Sequence, residues 1–385
     1  MATHIAVVGA GAFGGWTALH LLRAGHRVTL VDAWGPGHSR ASSGDETRII
    51  RGGYGANAMY TRLVARSLTL WRENERRWGT KLFHQNGVLW FSSTRNDAWD
   101  QAAMQALRDN RLPFESLSIG AAAKRFPQIN WEGIATAVFE PEAGFLLARR
   151  SCQAVLEGFL AENGGYRQAV VRPGQISNGR MEPLRLGDGS TLAADQYVFA
   201  AGAWLGKLFP GQIGAGVTPT RQEVFYFGTP PGDHRFDEQH FPTWIDNSET
   251  RYYGIPGNQW RGFKVADDTP GVVVDPTTQE RLPTAEALAA ARRYLAHRFP
   301  GLAGAPLVEA RVCQYEMSPD GHLIAGRHPL AGNVFLLGGG SGHGFKFGPA
   351  LGEQAARWVM GEAEPDAEFG LARLVNAKGL VRERR

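Results

Sequence analysis

Three stretches of this chain have the residue types and spacing to do chemistry. The first is Gly9-Ala10-Gly11-Ala12-Phe13-Gly14, where the apolar run Ile5-Ala6-Val7-Val8 enters a glycine-punctuated turn that opens a helix. Gly9 permits the reversal, Gly11 lets backbone approach a pyrophosphate, and Gly14 lets helix and sheet pack closely. The N–H groups of the helix N-terminus then face the anion. A second apolar run, Arg27 to Val31, ends in Asp32, about 20 residues past the glycines, where a carboxylate holds a ribose diol. The second stretch is the pair Arg48 and Arg51 in a polar loop past that strand. Their spacing puts both guanidinium groups on one side of a helical turn or on opposite sides of an extended segment. The third is Gly338-Gly339-Gly340-Ser341-Gly342-His343-Gly344, which follows the apolar run Val334 to Leu337 and leads to a last helix near Pro349. It adds backbone N–H groups beside the same bound group. From these residues the dinucleotide is NAD or FAD.

Other classes fall away. The triplet around Ser341 is not a nucleophile elbow, because G-x-S-x-G needs glycine where His343 stands. Two cysteines, Cys152 and Cys313, without a C-x-x-C or clustered histidines, argue against a disulfide framework or a zinc site. A formal charge of +4 over 385 residues, with scattered Lys and Arg, suggests no nucleic-acid surface. The basic end Arg382-Glu383-Arg384-Arg385 reads as a solvated tail. No signal peptide precedes the first strand and no apolar run is long enough to span a bilayer, which points to a cytoplasmic protein that meets no membrane. With 43% apolar residues the chain can fill a sizeable core.

The positioning elements follow from periodicity. Tyr60, Val64, Leu68 and Trp71 predict an amphipathic helix over 58–78, with further helices over 98–109, about 149–163 and 285–298. Strands are expected at 87–91, 138–140, 169–171, 223–227, 251–255, 262–265 and 323–326, with a hairpin limb and turn at 184–189. The apolar run Tyr197 to Ala200 ends in Ala201-Gly202-Ala203-Trp204, which brings backbone close to a bulky group and makes the nucleotide-binding domain discontinuous.

These residues carry a resemblance. The chain resembles the monomeric sarcosine oxidase and N-methyltryptophan oxidase family, flavoproteins related to D-amino-acid oxidase. The matching strings run almost end to end: Gly9 to Gly14 with Asp32, Gly44-Asp45-Glu46-Thr47-Arg48-Ile49-Ile50-Arg51, Gly202-Ala203-Trp204, Tyr253-Gly254-Ile255-Pro256, Gly262-Phe263-Lys264, Cys313-Gln314-Tyr315 with Ser318-Pro319-Asp320, and Ser341 to Phe347.

The resemblance implies FAD rather than NAD, joined through Cys313 to the 8α carbon of the isoalloxazine. It implies that Lys264 lies near flavin N5 and speeds oxygen reduction, and that Arg51 and Lys346 hold a substrate carboxylate. Arg48 is then a flavin-side residue, Tyr253 and Tyr315 are pocket walls, and His343 lies by the flavin edge. Gly342 belongs to both substrate and cofactor sites. Ala33, Ser43, Thr47, Val171, Gly344 and Phe345 join the glycines, Phe13, Asp32, Gly202 and Trp204 around the cofactor. One departure stands out: Asp268 occupies the place of the family histidine four positions after the lysine. A carboxylate there repels a substrate carboxylate or attracts a cationic part of a larger substrate. Gly52-Gly53 and the segment 244–252 also differ from the sarcosine enzymes and widen the cavity.

The resulting expectation is an α/β protein. A Rossmann-type FAD-binding domain of the D-amino-acid-oxidase type (1–80, 140–215, 312–385) is interleaved with an α+β substrate domain on an antiparallel sheet (81–139, 216–311). Its activity would be oxidation of a secondary-amine amino acid to an imine, with molecular oxygen reduced to hydrogen peroxide, by a monomer. A flavin dehydrogenase passing electrons to a protein or quinone, and a flavin-binding protein without turnover, are the alternatives.

Overall fold

The computed structural model describes residues 2–95 and 97–375; the tail at 382–385 lies outside them. Two sheets organise the fold. The six-stranded one follows the spatial order Ile324–His328, Ala331–Gly338, Gln196–Phe199, His4–Val8, Arg27–Asp32, Gly165–Gln168. All its neighbours run parallel except the edge strand Ile324–His328. Successive side chains of the central strand alternate between faces. Ile5 and Val7 pack among the helices, while Ala6 and Val8 pack toward Leu184 and Leu186 of a small antiparallel sheet.

The phosphate-turn helix, Ala12–Arg23, is pressed against the last long helix, Gly348–Met360. A Cβ on Gly352 would stand 2.7 Å from the Trp16 backbone, so small residues at this crossing set the approach. Trp16 itself is buried edge-on to Trp71 of the helix Ala58–Trp78, with ring centroids 5.1 Å apart.

The eight-stranded sheet runs Leu307–Met317, Thr218–Phe227, Phe263–Asp267, Tyr252–Ile255, Thr243–Asp246, Val88–Ser92, Thr136–Glu140, Glu115–Leu117. Its pairs are antiparallel save Thr243–Asp246 with Val88–Ser92. Behind it, Trp244, Phe263 and Phe299 form an aromatic core against the helix Ala285–Arg298. A three-stranded sheet of Thr47–Ile50, Gly144–Leu147 and Phe83–His84 carries Arg48.

Three expectations change. The strand predicted at 169–171 gives way to Gly165–Gln168 at the sheet edge and the two-residue Val171–Arg172 in a separate sheet. An unforeseen 11-residue strand, Leu307–Met317, carries Cys313 and Tyr315. The substrate-side sheet is not purely antiparallel. Among the described residues no helix is long and apolar enough to cross a membrane.

Gly14 tests the packing. A Cβ there would lie 1.9 Å from the Gly9 carbonyl oxygen, with no flexible side chain able to yield. Gly14→Ala is expected to lower urea-unfolding stability by about 1–3 kcal/mol. Gly120→Ala, in the helix Ile119–Arg125 with nothing within 4 Å of the added carbon, should leave stability unchanged or slightly raised.

Candidate active site

A cavity of about 670 Å³ opens above the carboxyl ends of the central parallel strands. One wall is the first glycine turn. Gly9 has φ +107°, and a Cβ there would sit 2.3 Å from the Ala200 carbonyl oxygen. Above Gly11 an added carbon meets only Ser43 Oγ, at 3.5 Å, so backbone faces open space where an anion fits. The first N–H groups of the helix Ala12–Arg23 lack intrahelical acceptors and point the same way. Asp32 is held rigidly, its Oδ2 accepting from Ala10 N and its Oδ1 from Trp34 N and Gly35 N, all at 2.8 Å. A carboxylate has about four lone-pair sites, which leaves capacity for a hydroxyl. Gly202, Trp204, Gly340, Gly342 and Gly344 also line it. A phosphate cradle, a fixed carboxylate and a long slot between two glycine-rich turns fit an adenine dinucleotide.

Beside the cavity lies a buried charge cluster centred on Asp45. Its carboxylate accepts from Lys264 Nζ at 2.6 Å, Tyr226 OH at 2.8 Å, Glu46 N at 2.8 Å and Arg48 Nη1. Burial would raise this carboxyl, but the charges of Lys264 and Arg48 outweigh it and hold the group far below the usual range. Burial pushes the Lys264 ammonium down to about 8 against the pull of Asp45. Both partners are therefore charged at neutral pH. Lys264 also donates to the Thr47 carbonyl at 2.9 Å and lies 5.6 Å from the Tyr253 ring. Arg48 reaches on to the Ser42 carbonyl at 2.8 Å and to Cys313 Sγ at 3.0 Å. One chain of contacts thus joins Lys264, Asp45, Arg48 and Cys313.

A second cluster surrounds Tyr54. The Arg51 guanidinium lies 3.8 Å from the Tyr54 ring centre and 4.8 Å from that of Trp90, and donates to the Gly53 carbonyl. Lys346 Nζ donates to Tyr54 OH at 2.9 Å and to the His343 carbonyl at 2.7 Å. His343 Nε2 faces the Gly321 carbonyl at 3.0 Å, so that nitrogen carries the proton. In the neutral ring Nδ1 then accepts from Tyr54 OH at 3.3 Å. Tyr54 therefore touches both cations that the family resemblance assigns to a substrate carboxylate.

The structure distributes the expected residues unevenly. Gly9, Gly11, Phe13, Asp32, Ala33, Ser43, Arg48, Val171, Gly202, Trp204, Tyr315, Gly342, Gly344 and Phe345 line the cavity. Gly14, Thr47, Cys313 and Lys346 stand behind its wall, Cys313 in contact with wall residues Arg48 and Ser42. Lys264, Arg51, Tyr253 and His343 also stand back, in the two clusters just described. Arg48 is on an extended strand and Arg51 just beyond it, so the two guanidinium groups diverge. Asp268 is exposed and accepts from Tyr315 OH at 2.8 Å, which ties it to a residue of the cavity wall. Cys152 is buried, its thiol pushed up to about 12 by burial.

Three residues had no role in the sequence reading: Asp45, Tyr54 and Glu316. Asp45 stood in a matching string, but its partner Lys264 is 219 residues away. Glu316 follows Tyr315 in an unforeseen strand and lines the cavity. Among the described residues no group of three His, Cys, Asp or Glu side chains could hold a metal ion.

Residues 4–358 match the family described as FAD dependent oxidoreductase (DAO). The chain is 32% identical over 378 residues to monomeric sarcosine oxidase of Bacillus sp. (strain B-0618), covering 95% of each chain. It is 30% identical over 376 residues to N-methyl-L-tryptophan oxidase of Yersinia pestis (strain Pestoides F), covering 95% of this chain and 98% of the other. Among solved structures, L-proline dehydrogenase from P. horikoshii shares the fold with a TM-score of 0.85 at 19% identity, covering 99% of both. Fructosamine oxidase (Amadoriase II) from Aspergillus fumigatus does so at 0.82 and 21%, covering 99% of this chain and 92% of the other.

Removing one partner of a buried ion pair strands the other charge, at a cost of about 3–5 kcal/mol. Asp45→Asn should lose that much stability at neutral pH in denaturant unfolding. The folded-state pKa of Asp45 is depressed, so its contribution is fully present above the unfolded carboxyl's pKa and drains away as pH falls through the folded value. The difference between wild type and Asp45→Asn should therefore shrink in acid.

Proposed function

The chain belongs to the FAD-dependent oxidoreductase (DAO) family, among the relatives of monomeric sarcosine oxidase, and from that premise we propose that it oxidises the C–N bond of a secondary-amine amino acid, N-alkylated or cyclic. The amine loses two electrons and two protons to become an imine, and molecular oxygen takes them up as hydrogen peroxide. FAD supplies the electron-accepting ring when bound.

The observation that carries this reading is the pairing of Arg51 and Lys346 on Tyr54 behind the cavity wall, together with the Lys264–Asp45–Arg48 cluster, of which Arg48 lines the dinucleotide cavity. Arg51 and Lys346 meet at Tyr54, where a guanidinium and an ammonium together suit one carboxylate. A carboxylate bound there would fix which carbon of the amino acid faces the cofactor, and stacking between Tyr54 and Trp90 keeps the guanidinium from swinging away. Trp90 also donates to Glu140 at 2.7 Å, and Glu140 accepts from Gly52 N and Gly53 N, which holds this wall in place.

On the other side Lys264 provides a buried cation, the charge type that stabilises a reduced oxygen species in a low-dielectric site. Arg48 and Cys313 are in contact at the cavity wall, and in this reading Cys313 carries the flavin as a thioether. The wall formed by Tyr315 and Asp268 then sets selectivity, its exposed carboxylate favouring a substrate whose distal part is cationic or hydrogen-bonding.

One observation favours a second reading. Asp45 lies 2.6 Å from the Lys264 ammonium and offsets its charge, which would slow oxygen reduction and suit a dehydrogenase passing electrons to a protein or quinone.

Anaerobic mixing with sarcosine, N-methyltryptophan, pipecolate, proline and glycated amino acids should bleach the visible band with at least one of them. No bleaching by any would leave a flavin-binding protein without turnover. Rapid reoxidation in air with peroxide release supports the oxidase, and slow reoxidation supports the dehydrogenase. Lys264→Met should slow reoxidation by oxygen far more than anaerobic reduction, and equal effects would sink the role given to the lysine. Acid-precipitated wild type should stay yellow and Cys313→Ala should release all its flavin; a colourless wild-type pellet removes the thioether.

A further inference from the structure

The dinucleotide cavity contains a carboxyl group that neither the charge clusters nor the glycine turns use. Glu316, on the strand Leu307–Met317, is 7% exposed and lines the cavity. Its Oε1 accepts from Gly340 N at 2.9 Å, while its buried Oε2 has no hydrogen-bond partner among the described residues. The approach is tight: a Cβ on Gly340 would stand 2.7 Å from Oε1, and one on Gly202 3.1 Å from Oε2. The carboxyl is thus clamped between Gly202 and Gly340, both of which line the cavity.

The groups around it explain its ionisation. From the helix Ala12–Arg23 comes the Phe13 ring, and from the two turns come Gly202 and Gly340, none of them charged. The ionisable groups lining the same cavity, Asp32, His38, Arg48, Arg172, Lys207 and Tyr315, include none that forms an ion pair with it or moves its pKa. Its neighbours along the strand, Arg311 and Cys313, do neither. Burial alone pushes Glu316 up to about 7, against a small downward pull from Gly340 N–H. A neutral carboxyl with one bonded oxygen is a donor with a proton to place.

We propose that Glu316 donates a hydrogen bond from Oε2 to an acceptor on the flavin half of the bound FAD, and that its proton is retained more tightly when that flavin is reduced. This rests on the FAD reading above. The flavin half is indicated by the neighbouring wall: Glu316 follows Tyr315, which lines the same cavity and which Gly342 closely approaches, whereas the pyrophosphate belongs to the turn at Gly11. Reduction adds electron density to the ring, so an acid bonded to it becomes weaker. Between the two pKa values of Glu316, reduction by the amine, or by dithionite in a titration, then takes up one more proton per electron pair than the ring alone.

The test is an anaerobic redox titration of the flavin-loaded enzyme from about pH 6 to about pH 9, comparing wild type with Glu316→Gln. The amide keeps the Gly340 bond and can donate, but cannot titrate. The expected result is a steeper dependence of midpoint potential on pH in the wild type, by one proton per electron pair over part of the range, with the extra slope lost in Glu316→Gln. Equal slopes throughout overturn the proposal while leaving the enzyme flavin-dependent. A wild type without a visible band overturns the FAD reading itself, and this proposal with it. If the variant does not hold flavin, infrared difference spectra of the wild type decide: a protonated carboxyl band must shift on flavin reduction and move with carboxyl isotope labelling of glutamate. No such band overturns the proposal.

Discussion

The Asp45 carboxylate is the interaction on which the site's arrangement depends. Four donors from separate parts of the fold converge on it: Lys264 from one strand of the eight-stranded sheet, Tyr226 from its neighbour, Arg48 from the three-stranded sheet, and the adjacent Glu46 N–H. A buried carboxylate is stable only when its lone pairs are filled by charged or strong donors. Here they are filled by residues of both sheets, so the same contacts neutralise the charge and join the sheets. Removing Asp45 would leave Lys264 and Arg48 with unmatched charge in a low-dielectric interior.

From that anchor the geometry spreads to the cavity. Arg48, fixed at one end by Asp45, presents its other nitrogen to Cys313 and the Ser42 carbonyl at the cavity wall. The divergence of Arg48 and Arg51 follows from the extended backbone between them, which sends alternate side chains to opposite faces. One strand segment thus supplies the cofactor side and, just past its end, the Tyr54 side. The glycine turns have the complementary task of keeping side chains out. Cβ atoms on Gly340, Gly342 and Gly344 would meet Glu316, Tyr315 and Phe13 at 2.7–2.9 Å, so close approach of backbone to these three side chains shapes the slot.

How much of this was legible in the sequence depended on the range of the physics involved. The helices Ala58–Trp78 and Ala285–Arg298 were read correctly to the residue because their apolar periodicity is local. The phosphate turn was readable for the same reason. The strand Leu307–Met317 escaped because its buried half, Val312 to Glu316, mixes Cys, Gln, Tyr and Glu, so no alternation announces it. Gly165–Gln168 escaped as a short, largely exposed edge strand whose pairing with Arg27–Asp32 is a tertiary fact. The Asp45 cluster was invisible in principle to any local reading. Likewise the bond between Asp268 and Tyr315, 47 residues distant in sequence, is one that no local reading supplies.

Two of the buried carboxyl groups at the site, Asp45 and Glu316, have opposite character, and environment separates them. Asp45 and Glu316 are both almost fully buried, so each pays a similar desolvation cost as an anion. Asp45 receives two cations and a tyrosine hydroxyl, which overcome that cost and keep it ionised. Glu316 receives one backbone N–H, which does not, and its pKa rises to about 7. If Asp45 were protonated, Lys264 and Arg48 would lose their common counter-charge. If Glu316 were ionised, a negative charge would face the cavity with one N–H to balance it. The same residue chemistry therefore supplies a fixed charge on one side of the site and an exchangeable proton on the other. That division of labour follows from which donors the two sheets and the glycine turns bring within reach.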